Sequence, residues 1–498
     1  SASLRGPGAA APAIADNCRM DLKLNDPARL IPLIVASALF MENLDSTIIA
    51  TALPAIARSL REDPLHLSLA ISSYLLSLAV FIPVSGWMAD RYGARRVFRN
   101  AIVVFVLGSV ACAASQNIGE LILARGAQGI GGAMMVPVGR LVLLRQVPKS
   151  ELVAAMSYLT IPALMAPIFG PPLGGFIVTY ASWRWIFLIN VPIGVLGYWL
   201  VTRFIRDHAG NATHHAFDLA GWMLLGLGLS GLVFGSENLG KHVLPPELPP
   251  FAVGLGIVLL VLYVLHARQD PAPIMRLGLL KVPTFRASVT GGSLFRIGVG
   301  SFSLLMPLML QLGFGMSALG SGLITFSSAV GALLMKTMAQ RITRRYGFRN
   351  LLVWNTLVSS LALIACGLLR PAVPSLLIIL FLLITGFFRS LEFTCVNTLA
   401  FADVEEADMS QATSFSSTAQ QLALSIGIGI ASQTLNLSLA GRHATVLGLP
   451  DFTAAFCTVG LISLSAMLSF RRLAPDAGSS VSGHRMALAD MPVRTTHP

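Results

Sequence analysis

The chain has 498 residues, of which 54% are hydrophobic and 12% charged, where ordinary soluble domains carry about a quarter charged residues. With a mean hydropathy of +0.73, so few ionic groups could not cover a water-facing surface, which excludes a soluble enzyme and predicts an all-α polytopic membrane protein. The net charge of +12 would suit nucleic-acid binding, but the basic residues stand in short runs between apolar segments, where the positive-inside rule accounts for them and no nucleic-acid partner is expected.

In chain order, residues 1–28 are rich in Ala, Pro and Gly, lack the layout of a signal peptide and are expected to form a cytoplasmic tail. Apolar runs of spanning length follow at roughly 30–56, 67–89, 97–116, 119–144, 152–180, 185–204, 218–236, 250–267, 286–312, 319–340, 351–369, 374–396, 411–438 and 450–470. They predict about fourteen helices with both termini inside. Lys and Arg agree with that orientation, clustering in the expected inner loops around Arg91–Arg99, Arg140–Lys149 and Arg341–Arg349 and thinning out in the outer ones. Tyr180, Trp183 and Trp185 would form an aromatic belt at an outer interface. Cys18, Cys112, Cys366, Cys395 and Cys457 show no pairing or metal spacing and are expected to be reduced or buried thiols.

The loop Arg91-Tyr92-Gly93-Ala94-Arg95 returns as Arg345-Tyr346-Gly347-Phe348-Arg349. Both copies follow the second helix of a six-helix block if the seventh and eighth helices are an insertion, a parallel repeat known in secondary transporters. The expected division is a tail at 1–28, a six-helix bundle at 29–204, a linker with two inserted helices at 205–284, a second bundle at 285–472 and a tail at 473–498.

Several segments resemble the major facilitator superfamily, and within it the fourteen-helix drug:proton antiporter family. The signature loop is matched by Gly86-Trp87-Met88-Ala89-Asp90-Arg91-Tyr92-Gly93-Ala94-Arg95-Arg96. Leu44–Pro54 is similar to the first-helix motif, Arg125-Gly126-Ala127-Gln128-Gly129 to the fourth-helix motif, and Gly170-Pro171-Pro172-Leu173-Gly174-Gly175 to the antiporters' fifth-helix motif. Ser182–Gly194 and Phe217-Asp218 resemble the fourteen-helix branch. The resemblance implies two six-helix bundles plus two inserted helices, with the first and fourth helix of each bundle lining a central cavity. Two departures stand out: Arg344 occupies the place of Asp90 in the second copy of the loop, and Glu42 is an additional acid three residues before Asp45.

Ionisable groups at membrane depth cost at least about 2.5–3.5 kcal/mol each and mark pathways or partners. Here they are Glu42 and Asp45 in the first helix, Arg125 in the fourth, Arg296 in the ninth, and Arg389 with Glu392 in the twelfth. All fall on the helices that the resemblance places around the cavity. Glu42 and Asp45 share a helix face. Two like charges in a poorly hydrated site cannot both ionise cheaply, so one carboxyl is expected to exchange a proton and to attract a cationic cargo. The other reading is a structural ion pair with Arg125 or Arg296, near Gln128. Arg389 and Glu392 are expected to pair locally at the inner interface.

Asp90, with Gly86, Arg91, Gly93, Arg95 and Arg96, is expected either to latch a cytoplasmic gate or merely to anchor the helix end. Pro167, Gly170, Pro171, Gly174 and Gly175, with Pro162 and Pro172, predict a bent, tightly packed fifth helix, which by resemblance seals an antiporter against leak. Gly126, Gly129, Gly131 and Gly132 are read as helix packing, since no strand precedes them as a phosphate loop requires. Met134, Met135, Phe295, Met306 and Met309 are candidates for a cavity surface that adapts to varied ligands, lipid-facing packing being the alternative.

Enzymatic signatures are absent, His214-His215 reads as a solvated pair, and neither metal nor cofactor is expected. The sequence points to a proton-driven exporter of amphipathic cationic or lipophilic toxic compounds in a bacterial inner membrane, acting as a monomer on small molecules and protons. An accessory periplasmic partner stays open. The alternatives are a metabolite or nutrient carrier on the same fold and a non-transporting receptor.

Overall fold

The computed structural model describes residues 27–62, 64–206, 216–238, 245–444 and 446–483. Side chains at 27–29, 50–51, 53–54, 64–68, 160–164, 167–168, 171–172, 237 and 318–319 lie outside that description. Among the described residues the secondary structure is entirely helical, as it must be for single segments in lipid, where only helices satisfy every backbone group within themselves.

The first set of helices comprises α1 (Pro27–Leu60), α2 (Pro64–Phe81), α3 (Val84–Tyr92), α4 (Ala94–Ala114), α5 (Ile118–Gln146), α6 (Leu152–Tyr180), α7 (Trp185–Leu188) and α8 (Asn190–Phe204). A hairpin of α9 (Leu219–Asn238) and α10 (Leu248–Gln269) follows. The second set is α11 (Pro283–Leu308), α12 (Ala318–Tyr346), α13 (Phe348–Cys366), α14 (Ser375–Leu399), α15 (Met409–Gly441) and α16 (Leu449–Arg471), closed by the short α17 (Ser479–Ser482). Among the described residues twelve helices are long and apolar enough to cross a membrane, or up to thirteen if the bent pair is one span. At the fifth expected run, α6 is a helix of 29 residues, several of whose side chains are outside the described set.

The expected runs are modified where proline interrupts them. The second run is two helices bent by 58°, because Pro83 at the break has no N–H to continue the ladder and instead caps α3. The ninth carries Pro307 inside α11 and ends in a π-helical turn at Met309–Gly313, the local adjustment by which freed carbonyls find partners. Polar caps set other ends. Asn117 accepts from the Glu120 amide (2.9 Å) at the start of α5 while Glu120 accepts from the Gln116 amide (2.8 Å).

The repeated loops share one conformation. Gly93 and Gly347 have φ of +86° and +69°, and their amides bond back to the carbonyls of Ala89 and Thr343, closing one helix as the next begins. A left-handed φ favours glycine, which explains its recurrence at both positions.

Within the first set α1 packs against α5, α6 and α8, and α4 against α5; within the second α11 packs against α15 and α16, and α12 against α14. The two sets meet where α3 and α5 contact α15 and where α6 contacts α12 and α14. Helix α9 touches both α2 and α15, and the Trp222 indole donates to the Val80 carbonyl (2.9 Å).

Some expectations require correction. Tyr180 and Trp185 are exposed, but Trp183 is buried, with Arg184 stacked on it at 4.5 Å, so the belt lacks its central member. The tail expected from 473 begins as packed chain, with Leu473 and Val481 buried. Cys112, Cys366 and Cys395 are buried free thiols and Cys457 is a half-buried one; Cys18 and the His214-His215 pair lie outside the described residues.

Candidate functional site

Close helix contact builds the site around Asp45. A Cβ on Gly108 of α4 would stand 2.6 Å from the Gln128 backbone, and one on Gly131 would stand 2.5 Å from that of Phe105. Only residues without side chains allow α4 and α5 so near. That approach, with α1 and the start of α8 alongside, gathers five polar side chains. Asp45 pairs with Arg125 at 2.5 Å. It also accepts from Gln128 (2.9 Å) and from Asn190 (2.9 Å), and both of these amides reach the Ser109 hydroxyl, at 2.8 and 3.1 Å. Arg125 donates to Gln128 as well (2.6 Å) and lies 4.4 Å from the centre of the Tyr74 ring. Ion pair and amides are all buried. Such a pair holds only with good geometry and further hydrogen bonds, which is what surrounds it here. Asp45 therefore belongs to a structural ion pair with Arg125, while Arg296 takes no part in it.

Glu42 differs. It lies one turn before Asp45, is 9% exposed, and has Tyr74 and Asp45 as its electrostatic neighbours. Among the described residues neither Glu42 Oε2 nor the Tyr74 hydroxyl has a well-aligned hydrogen-bond partner. Of the two expected acids, one is fully engaged and the other is not.

A second polar cluster joins the two sets of helices. Asp90 accepts hydrogen bonds from Ser410 of α15 and from Arg145 of α5, the latter at 3.3 Å. Ser414 donates to the carbonyls of Ile82 (2.9 Å) and Pro83 (3.0 Å), which the bend between α2 and α3 leaves available. Lys149 reaches the Ala402 carbonyl (3.3 Å) and Arg276 pairs with Asp408 (3.0 Å). Gly86 makes the approach feasible, since a Cβ there would come within 2.9 Å of the Ser410 carbonyl oxygen. The basic residues of the motif face elsewhere: Arg91 stacks on Trp87 at 5.5 Å, Arg95 donates to the Thr202 carbonyl, and Arg96 is exposed.

In the second set the expected pair of Arg389 with Glu392 does not form. Three residues apart, they leave α14 in different directions. Arg389 donates to Ser328 (2.8 Å) and lies 4.4 Å from the Phe302 ring centre. Glu392 is wholly buried against α13, where it accepts from Asn355 (3.1 Å), Thr356 (2.7 Å) and Ser359 (2.7 Å). Arg296 donates to Asn397 (2.8 Å) and lies 5.6 Å from the Phe393 ring centre.

In α6, Gly170 presses on α1, a Cβ there falling 2.4 Å from Thr47 Oγ1, whereas Gly175 has open space around it and Gly174 is buried. Pro167 and Pro171 stand within that helix, and their side chains lie outside the described residues. Met134, Met135, Phe295, Met306 and Met309 are all buried, and none faces lipid. Met306 and Met309 belong to a core cluster with Phe452 and Phe456, Met134 and Met135 to the large core cluster that includes Phe98 and Phe105.

The family described as Major Facilitator Superfamily matches residues 35–428. The chain belongs to the major facilitator superfamily. Among relatives of this superfamily, "Putative multidrug resistance protein MdtD" of Pectobacterium atrosepticum is 39% identical over 447 residues, covering 89% of this chain and 95% of that one. MdtD of Escherichia coli K12 is 40% identical over 425 residues, covering 85% and 89%. The fold is that of solved superfamily members at 14% identity. One is the human organic anion transporter MFSD10, with a TM-score of 0.65 over 89% of this chain and 100% of that chain; the other is the proton:xylose symporter XylE, with 0.60 over 88% and 94%. As a superfamily member the protein is a multi-pass membrane transporter.

Sequence reasoning did not assign roles to Tyr74, Ser109, Asn190, Ser410 or Ser414. Asn190 alone carried a signal, since it stands inside the Ser182–Gly194 motif. The serines and Tyr74 are common residues in apolar helices, and nothing local distinguishes them.

Proposed function

We propose that this protein is a proton-coupled exporter of amphipathic toxic compounds, working by alternating access of two six-helix bundles in a bacterial inner membrane, with both termini in the cytoplasm. The observation that carries the reading is Glu42, a buried acid with no cation paired to it among the described residues, one turn from an acid that Arg125 has already neutralised. A carboxyl so placed on a cavity helix can take a proton from water on one side and give it up on the other, with no other charge to rearrange. Its neighbour supplies the fixed structure. The MdtD relatives, named as multidrug resistance proteins, support a toxic-compound cargo. A preference for cations, expected from two acids, loses half its basis because Asp45 is paired.

The contacts from Asp90 and Ser414 to the opposite bundle suit a state closed at the cytoplasmic end, with the Asp90 cluster as the latch. On opening, Ser410 and Arg145 would release that carboxylate. The Gly170 contact suits a seal between α6 and α1.

Transport into proteoliposomes with an imposed pH gradient and a panel of dyes tests the proposal. Dye movement should follow the gradient and carry protons with it, and Glu42→Gln should abolish the substrate-driven proton movement. Dye uptake indifferent to the gradient, or coupling unchanged in the Glu42→Gln, Asp45→Asn double variant, refutes it.

A further inference from the structure

The start and the end of the α9–α10 hairpin meet at one histidine. Asp218 stands just before α9, His266 is in the last turn of α10, and Asp270 follows the end of that helix. His266 Nε2 lies 2.9 Å from Asp218 Oδ1 and 3.7 Å from Asp270 Oδ2, and the three side chains hold their ligand atoms within 4.8 Å of one another. Among the described residues no other His, Cys, Asp and Glu side chains gather in this way. Asp218 and His266 are 48 positions apart, so linear spacing gives no sign of the cluster and only the fold of the hairpin assembles it.

The two carboxylates are held from outside the cluster. Asp218 Oδ1 accepts from the Gly221 amide (2.7 Å) and its Oδ2 from the Ile274 amide (3.1 Å), while Asp270 Oδ1 accepts from the Ala272 amide (2.8 Å). A Cβ on Gly221 would fall 2.0 Å from Asp218 Oδ2, so the missing side chain is what lets this carboxylate lie against the start of α9. The remaining oxygen, Asp270 Oδ2, is turned toward the ring nitrogen that Asp218 already meets. One hydrogen on Nε2 serves one acceptor, and 3.7 Å is too long for a second hydrogen bond. A His–Asp pair between helices accounts for the 2.9 Å contact and does not need a second carboxylate anchored toward the same nitrogen. A metal ion does: with bonds of about 2.0–2.2 Å to nitrogen and oxygen, it sets neighbouring ligand atoms about 2.9–3.5 Å apart. The side chains of His266 and Asp270 are 27% and 29% exposed and that of Asp218 is 3% exposed, so an ion would enter from water and keep water as its remaining ligand.

We propose that Asp218, His266 and Asp270 bind a divalent first-row transition-metal ion, of the class of Zn²⁺, at the base of the hairpin. One imidazole nitrogen with two carboxylates suits such ions, whereas Mg²⁺ and Ca²⁺ take oxygen ligands. The ion takes the place of the hydrogen between Nε2 and Asp218 Oδ1, the neutral imidazole keeps its proton on Nδ1, and the backbone amides keep both carboxylates aimed. It ties the entry of α9 to the last turn of α10. Because α9 packs on both α2 and α15, occupancy stiffens the element that bridges the two sets of helices. Neither the direction nor the coupling of transport enters this proposal.

The test uses the full chain without a polyhistidine tag, purified in neutral detergent, treated with EDTA, dialysed and titrated calorimetrically with Zn²⁺ and separately with Mg²⁺. One Zn²⁺ should bind per chain, at least about tenfold more tightly than Mg²⁺, and raise the melting temperature in a way that EDTA reverses. His266→Gln and Asp270→Asn should each weaken Zn²⁺ binding at least about tenfold; Asp270→Asn keeps the backbone contacts of Asp218 and is the milder change to the fold. The double variant His214→Ala, His215→Ala should bind as the unaltered protein does. No stoichiometric Zn²⁺ binding to the unaltered chain, or Mg²⁺ binding as tight as Zn²⁺, overturns the proposal whether or not the variants fold. Binding unchanged in both His266→Gln and Asp270→Asn, or lost in the His214, His215 variant, overturns it too. Dye transport in proteoliposomes indifferent to the pH gradient, with Zn²⁺ binding intact, would count only against the proton-driven reading.

Discussion

Asp45 and Glu42 stand one turn apart on α1, and their surroundings give them separable roles. Asp45→Asn leaves Arg125 charged and buried with no counter-charge, so it should cost about 3–5 kcal/mol of stability, read as a lowered melting temperature in detergent. Glu42→Gln breaks no ion pair and should change stability by about 1 kcal/mol or less while removing proton coupling. If the two variants melt alike, the division of labour between the acids is wrong. The same logic holds at the repeated loops. Gly347→Ala puts a Cβ on a residue with φ of +69°, a strain of roughly 1–2 kcal/mol. Denaturant or thermal unfolding should show it, and Gly93→Ala should behave alike.

Among elements, α15 is the one that both sides of the molecule use. It packs on α11 and α16 in its own set, on α3 and α5 across the junction, and on α9 of the inserted hairpin. Its first turns, Ser410 and Ser414, carry the hydrogen bonds to Asp90 and to the Ile82 and Pro83 carbonyls at the α2–α3 bend. Asp90→Asn weakens the charge-assisted part of this junction without emptying it. The expected result is a folded protein that binds cargo but transports it slowly. A cysteine introduced by Ser414→Cys, buried at the junction, should react several-fold faster with a maleimide when Asp90→Asn is also present. Equal labelling rates would mean that the Asp90 cluster anchors the helix and does not latch the gate.

Over the whole molecule, the hairpin of α9 and α10 is more than a connection between the two sets. Helix α9 bridges α2 and α15, which belong to opposite sets, and a Cβ on Gly429 of α15 would stand 2.8 Å from Ser236 Cβ on α9. Gly429→Val should therefore cost about 1–3 kcal/mol through overpacking and push the hairpin from the junction. Thermal unfolding and transport rate should fall together; an unaltered melting temperature would show that the hairpin is only loosely seated.

Hydropathy along the chain, without any structure, determined the class of molecule, the approximate position of nearly every helix and the repeat that Gly93 and Gly347 mark. These properties follow from local chemistry: spanning length is set by bilayer thickness, and a left-handed backbone at a loop selects glycine. The candidate charges were legible for the same reason, since an ionisable residue inside an apolar run is conspicuous. Their partners were not. That Asp45 belongs to Arg125 and Asn190, and that Glu392 turns to α13 and away from Arg389, depend on how each helix is rotated about its axis. Rotation is fixed by glycine contacts and side-chain packing between segments distant in sequence, so only the tertiary structure decided which buried charges are paired and with what.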